Sequence, residues 1–172
     1  GRYGGLPKGY DHKYVYSHVG YNLKATDMQA AIGCAQLKKF PSFVERRREN
    51  FKVLYEGLLD LSEYFYLPEA VKNSNPSWFG FCLTCKPGVD KNKIVGYIES
   101  HGVQTRMLFS GNLIKQPCFD EMRASRTGFR VAGSLDNTDT IMANTFWIGV
   151  YPGMTKEMLD HMITTIKAFC NT

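Results

Sequence analysis

"WFGFCLTCKPGVDKNKIVGYIESHGVQTRMLF", residues 78–109, is the stretch that decides the fold. Its first part, Trp78 to Cys85, is short, rich in aromatic side chains and closed by Pro87-Gly88, the composition and punctuation of a strand. Asp90 then stands where a helix needs its N-cap, Ile94, Val95 and Ile98 recur at helical spacing, and Gly102 supplies a stop. "VQTRMLF", residues 103–109, returns to alternation. Val103, Thr105, Met107 and Phe109 are expected on one face, and Gln104, Arg106 and Leu108 on the other.

Outward from this unit the pattern stays mixed. The loop "SGNLIKQP" leads to a short helix near Phe119 and Met122, "NTDTIMANT" reads as another, and "FWIGV", residues 146–150, as a third strand. Thr155 is placed to cap a last helix whose stripe is Leu159, Met162, Ile163, Ile166 and Phe169. Toward the N-terminus, the turn-rich "NSNPS" follows a long helix carrying Val44, Phe51, Leu54, Tyr55 and Leu58 on one face. Pro41 disfavours helix at Phe40 and is expected to start that helix afresh. Thr26 and Gln29 have capping-box spacing ahead of an earlier helix, in which Ala30, Ala31, Gly33 and Ala35 leave room for another backbone or a bound group. Residues 1–24 are rich in Gly and Tyr and read as an extended lead-in. The expected fold is α+β: long N-terminal helices, then a small, mainly antiparallel sheet covered by helices, with residues 25–172 as the domain.

Composition narrows the class. Hydrophobic residues at 44% and charged residues at 22% fit an ordinary soluble domain. The net charge of +5 is scattered, and its one run, Arg46 to Arg48, lies within a helical pattern, so no nucleic-acid partner is expected. No apolar stretch approaches the ~20 residues of a membrane span. The N-terminus carries neither an initiating Met nor an apolar signal region, as though the chain were entered in its middle. Five scattered cysteines suit reduced thiols in the cytoplasm.

Chemistry-bearing motifs are sparse. Cys82 and Cys85 form a CxxC, but in a strand they point to opposite faces, which is wrong for sharing a metal. His12 and His18 flank a tyrosine-rich segment, while His101 and His161 read as surface residues. Asp136 and Asp139 are expected to act as cap and dipole partners of a helix start. Three places stand out: Tyr21-Asn22 ahead of the capped helix, Trp78-Phe79 at a strand start, and Arg106 with Phe109 to Asn112, where a strand delivers a cation and an amide into a Gly-containing loop. These features alone reach only a soluble α+β domain bearing an interface.

"GYNLKATDMQAAIGCAQL", residues 20–37, resembles the segment joining the large and small domains in the DegT/DnrJ/EryC1/StrS sugar-aminotransferase family of fold-type I pyridoxal-phosphate enzymes. The matching positions are Gly20, Tyr21, Asn22, Lys24, Ala30, Ala31, Gln36 and Leu37. The resemblance continues through "GVQTRMLFSGNLIKQP" and "NTFWIGVYPGMT". Long runs, "YDHKYVYSHVGYNLKATDMQAA", "PSWFGF" and "RMLFSGNLIKQP", are similar to its dehydrase branch, the CDP-6-deoxy-4-hexulose 3-dehydrases of lipopolysaccharide deoxysugar synthesis.

The resemblance implies the small C-terminal domain of a homodimeric enzyme that removes the C3 hydroxyl of a CDP-4-keto-6-deoxyhexose with pyridoxamine (or pyridoxal) 5'-phosphate. It implies that Asn22, assisted by Lys24, reaches the cofactor phosphate of the neighbouring subunit. Phe79 would face sugar and cofactor, and Arg106, Phe109 and Asn112 the nucleotide-sugar, with the Arg106 fork suited to a diphosphate. A [2Fe-2S] cluster and an iron–sulfur flavoprotein reductase would deliver electrons. The cluster cysteines and the base histidine would lie upstream of Gly1, so the chain by itself would be inactive. Two other readings stay open: an ordinary sugar aminotransferase, against which Phe79 argues, and a non-catalytic interaction module.

Overall fold

The computed structural model of the protein describes residues 20, 21 and 23–171. The chain divides between Lys38 and Lys39 into two units. Helix α1 (Asp27–Leu58) begins in the first. Its capping box is formed: the Thr26 backbone N–H donates to Gln29 Oε1 at 2.9 Å, and the Gln29 N–H to Thr26 Oγ1 at 3.3 Å. The small-residue face is open, with Met28 and Ile32 exposed beside it and nothing within 4 Å of a Cβ placed on Gly33.

In the second unit α1 continues where a new helix was expected, with Pro41 inside it. A helical proline removes one backbone hydrogen bond. Here the surrounding turn is exposed, so water can solvate the freed carbonyl, and Ser42 Oγ donates to the Lys39 carbonyl at 2.7 Å.

The remaining elements are β1 (Phe65–Tyr66), β2 (Gly80–Cys85), α2 (Lys91–Ser100), β3 (Thr105–Met107), α3 (Asp120–Ser125), α4 (Asp136–Asn144), β4 (Thr145–Gly149) and α5 (Lys156–Cys170). The strands form one antiparallel sheet in the order β1-β2-β4-β3. Alternation on β2 buries Phe81, Leu83 and Cys85, and on β4 Phe146 and Ile148. Leu54 and Leu58 of α1, Ile94 and Ile98 of α2, and Leu159 and Ile166 of α5 complete the core. Gly57 serves the α1–α5 approach, because a Cβ there would fall 2.4 Å from Ile163 Cδ1.

The expected caps of α2 and α5 are present. Asp90 accepts from the backbone N–H of Asn92 and Lys93, and Thr155 from that of Met158. At the other end of α2, Gly102 (φ +80°) donates to the Glu99 carbonyl and Val103 to that of Ile98, a Schellman ending with Val103 buried.

Three further expectations need correction. β3 is only three residues long, and Phe109 does not continue its inner face: the Phe109 N–H turns back to the Met107 carbonyl at 2.7 Å, with φ +47°. β2 starts at Gly80, since the chain bends at Phe79. Finally, neither Asp136 nor Asp139 caps α4. The N-cap position is Leu135, which makes no side-chain cap, and Asp139 spends its oxygens on Asn112 and Lys115.

Candidate active-site face

Strand register builds the site. Arg106 pairs with Trp147, Trp147 with Cys82, and Gly80 with Gly149. Directly opposed residues share a face, so Arg106, Trp147 and Cys82 form a row on the side of the sheet turned away from the core.

Trp147 is fixed from several directions. Its Nε1–H donates to the Met107 carbonyl at 3.1 Å. Its ring lies over Gly80, where an added Cβ would sit 2.6 Å from the indole. Phe79 meets it edge-on, with centroids 5.2 Å apart and planes at 80°, the preferred arrangement of aromatic quadrupoles. Phe109 leans on both, 6.2 Å from Trp147 and 6.3 Å from Phe79. Phe79 is 55% and Phe109 72% exposed, so two large rings are held toward solvent beside an indole. Arg106 is exposed and has no hydrogen-bond or ion-pair partner among the described residues.

The loop after β3 is locked from behind. Asn112 is 3% exposed, and its side-chain N–H donates to Asp139 Oδ1 at 2.7 Å. Lys115 Nζ lies 2.7 Å from the other Asp139 oxygen. The Lys115 ammonium, with the Asn112 amide adding to it, holds the Asp139 carboxyl below the usual carboxylate range. Gly111 between them has φ +59°, and a Cβ there would meet Met142 Cγ at 2.4 Å. Gly111→Ala is therefore expected to cost about 1–3 kcal/mol of stability, from left-handed backbone and clash together. A thermal melt of the variant beside the wild type checks it.

The fold thus gathers Phe79, Phe109 and Arg106 around Trp147, while the Asn112 amide nitrogen is engaged inside the fold. Lys24 is exposed in the first unit, and Asn22 lies outside the described residues. Trp147 is the member sequence reading missed. The available signal was the Phe79-Gly80 pair, a glycine beside an aromatic, but it becomes legible only with the register.

The cysteines do not fit an iron–sulfur cluster. Cys82 and Cys85 sit on opposite faces of β2, and burial pushes the Cys85 and Cys170 thiols up to about 11. Among the described residues no three His, Cys, Asp or Glu side chains gather as a metal site, and no helix is long and apolar enough to cross a membrane.

The model of the DegT/DnrJ/EryC1/StrS aminotransferase family matches residues 2–167. The chain belongs to that family. Among its relatives, the lipopolysaccharide biosynthesis protein RfbH of Salmonella typhimurium is 51% identical over 168 residues, covering 96% of this chain and 37% of RfbH. The dTDP-4-dehydro-2,6-dideoxy-D-glucose 3-dehydratase of Saccharopolyspora spinosa is 45% identical over 168 residues, 96% of this chain and 35% of that enzyme. This DegT/DnrJ/EryC1/StrS chain thus spans little more than a third of either relative's length. A solved GDP-4-keto-6-deoxymannose-3-dehydratase, the ColD H188N mutant with bound GDP-perosamine, superposes with TM-score 0.77 at 26% identity, covering 92% of this chain and 41% of that one. The fold is that of the pyridoxal-phosphate-dependent aminotransferase-type enzymes.

Proposed function

We propose that this chain is the small-domain part of a pyridoxamine-phosphate-dependent nucleotide-sugar 3-dehydrase that removes the C3 hydroxyl of a CDP-4-keto-6-deoxyhexose in lipopolysaccharide deoxysugar synthesis. The observation that carries the reading is the exposed Phe79–Trp147–Phe109 face beside Arg106, which has no partner among the described residues. The 45–51% identity to RfbH and to a sugar 3-dehydratase supports it.

The donors present suit a phosphate-bearing cofactor. Lys24 is an exposed cation with no partner among the described residues, and a lysine serves phosphate as a point charge. Asn22 and Lys24 would hold the cofactor phosphate across a homodimer, the asparagine amide donating without adding charge. When bound, pyridoxamine phosphate supplies the amine and the electron-accepting ring needed to expel a sugar hydroxyl. The chain's own residues bind and orient. Arg106 takes the diphosphate, Phe79 and Phe109 lay apolar surface against the deoxysugar and exclude water, and the Asn112–Asp139 bond keeps the Phe109 loop in place. The [2Fe-2S] cluster and the iron–sulfur flavoprotein reductase belong to the full-length protein in the cytoplasm, with no cluster ligand from this chain.

The test is an absorbance titration of the full-length protein with pyridoxamine phosphate. Asn22→Ala is expected to weaken binding several-fold, and unchanged binding would remove Asn22 from the site. Incubation with the 4-keto sugar separates the alternatives: loss of the C3 hydroxyl supports the dehydrase, whereas glutamate-dependent amination makes the protein a sugar aminotransferase.

A further inference from the structure

A concavity borders the same face. It measures about 360 Å³ and is lined by Arg106 and Trp147 from the sheet and by Met154, Met158, His161 and Met162 from α5 and the loop before it; neither Phe79 nor Phe109 contributes. Gly149 opens it, since a Cβ on that strand position would meet nothing within 4 Å. The wall is braced. His161 Nε2–H donates to the His101 carbonyl at 2.8 Å, tying α5 to the turn after α2, and the Tyr151 hydroxyl donates to the Met158 sulfur at 3.6 Å.

From this geometry we propose that the pocket receives the nucleobase of the nucleotide-sugar, with Arg106 at the diphosphate and the sugar directed to Phe79 and Phe109. The inference rests on the nucleotide-sugar reading above and extends it to the other end of the substrate. The chemistry of the lining favours a flat, polarisable ring. Met158 and Met162 stand one helical turn apart, and thioethers and an indole pack well against aromatic faces. With Nε2–H committed to a carbonyl, Nδ1 is the His161 ring atom left for a ligand, and Gln104 adds an amide to the lining. Size points the same way. Its volume of about 360 Å³ lies at the lower end of the roughly 300–1,000 Å³ of small-molecule pockets, ample for a nucleobase and tight for an entire nucleotide-sugar. Arg106 lines the pocket and stands in register with Trp147, against which Phe79 and Phe109 pack, a position that suits the diphosphate.

The experiment is calorimetric titration of the full-length protein with CDP, beside the pyridoxamine phosphate titration. Two variants fill the pocket from different elements: Met158→Trp on the exposed side of α5, and Gly149→Val on β4, a strand that tolerates β-branching. Both are expected to lose at least tenfold in CDP affinity while binding pyridoxamine phosphate as wild type does. A filled variant that binds pyridoxamine phosphate normally and CDP within twofold of wild type overturns the assignment. Loss of pyridoxamine phosphate binding in both variants overturns it too, because the pocket would then serve the cofactor. If the wild-type protein binds pyridoxamine phosphate but no nucleoside diphosphate, the nucleotide-sugar reading itself falls.

Discussion

Phe81→Ala is expected to lower the unfolding free energy by about 3–5 kcal/mol, measured as a shift in the urea midpoint. Phe81 is fully buried on β2, an inner strand of the sheet, opposite Ile148 of β4. Its ring centroid lies 5.0 Å from that of Phe51, which in turn lies 4.6 Å from Trp78. One side chain therefore joins sheet to α1, and truncating it opens a hole between layers that cannot both collapse inward. Domains of this size carry only about 5–15 kcal/mol in total, so the variant should sit near the edge of folding. Phe79→Ala is the internal control. Two residues earlier in sequence but more than half exposed, it should change stability by less than about 1 kcal/mol. A Phe81→Ala loss below about 2 kcal/mol would mean that Phe51 and Ile148 close the gap, and that the sheet–α1 contact is softer than its geometry suggests.

That contrast shows where sequence reading succeeds and stops. Phe79 and Phe81 have the same parity, and an unbroken strand from Trp78 would send both into the core. The bend at Phe79 sends one outward, and alternation alone cannot place a bend. The caps at Thr26, Asp90 and Thr155 were legible because each is a local exchange of side-chain and backbone hydrogen bonds. Helix α1 running through Pro41 was not. The rule for proline is a local cost, and here exposure and the flanking turns outweigh it. Arg106 and Phe109 were singled out in sequence, but their convergence on Trp147 depends on the pairing of β3 with β4, a contact across some forty residues. Likewise, Asn112 looked like a free amide next to a glycine. Its partner Asp139 lies on α4, and only the folded chain shows that the amide is committed.

Arg106→Ala is expected to weaken CDP binding to the full-length protein by 10- to 100-fold while leaving cytidine, which has no phosphates, within twofold of wild type. The argument is one of spare capacity. A guanidinium offers five donors in a planar fork that matches two phosphate oxygens at once. On this protein that fork is exposed, bound to no described partner, and stands in register with Trp147 on the edge strand β3. Because the group is exposed, the contrast should be measured near 0.15 M salt, where screening acts beyond about 8 Å and leaves mainly direct contact. Arg106→Lys keeps the charge and loses the fork, so it should recover only part of the affinity. Equal losses for CDP and cytidine would assign Arg106 a packing role against Trp147. No loss for either would move the diphosphate off this strand and leave the aromatic face without its anchor.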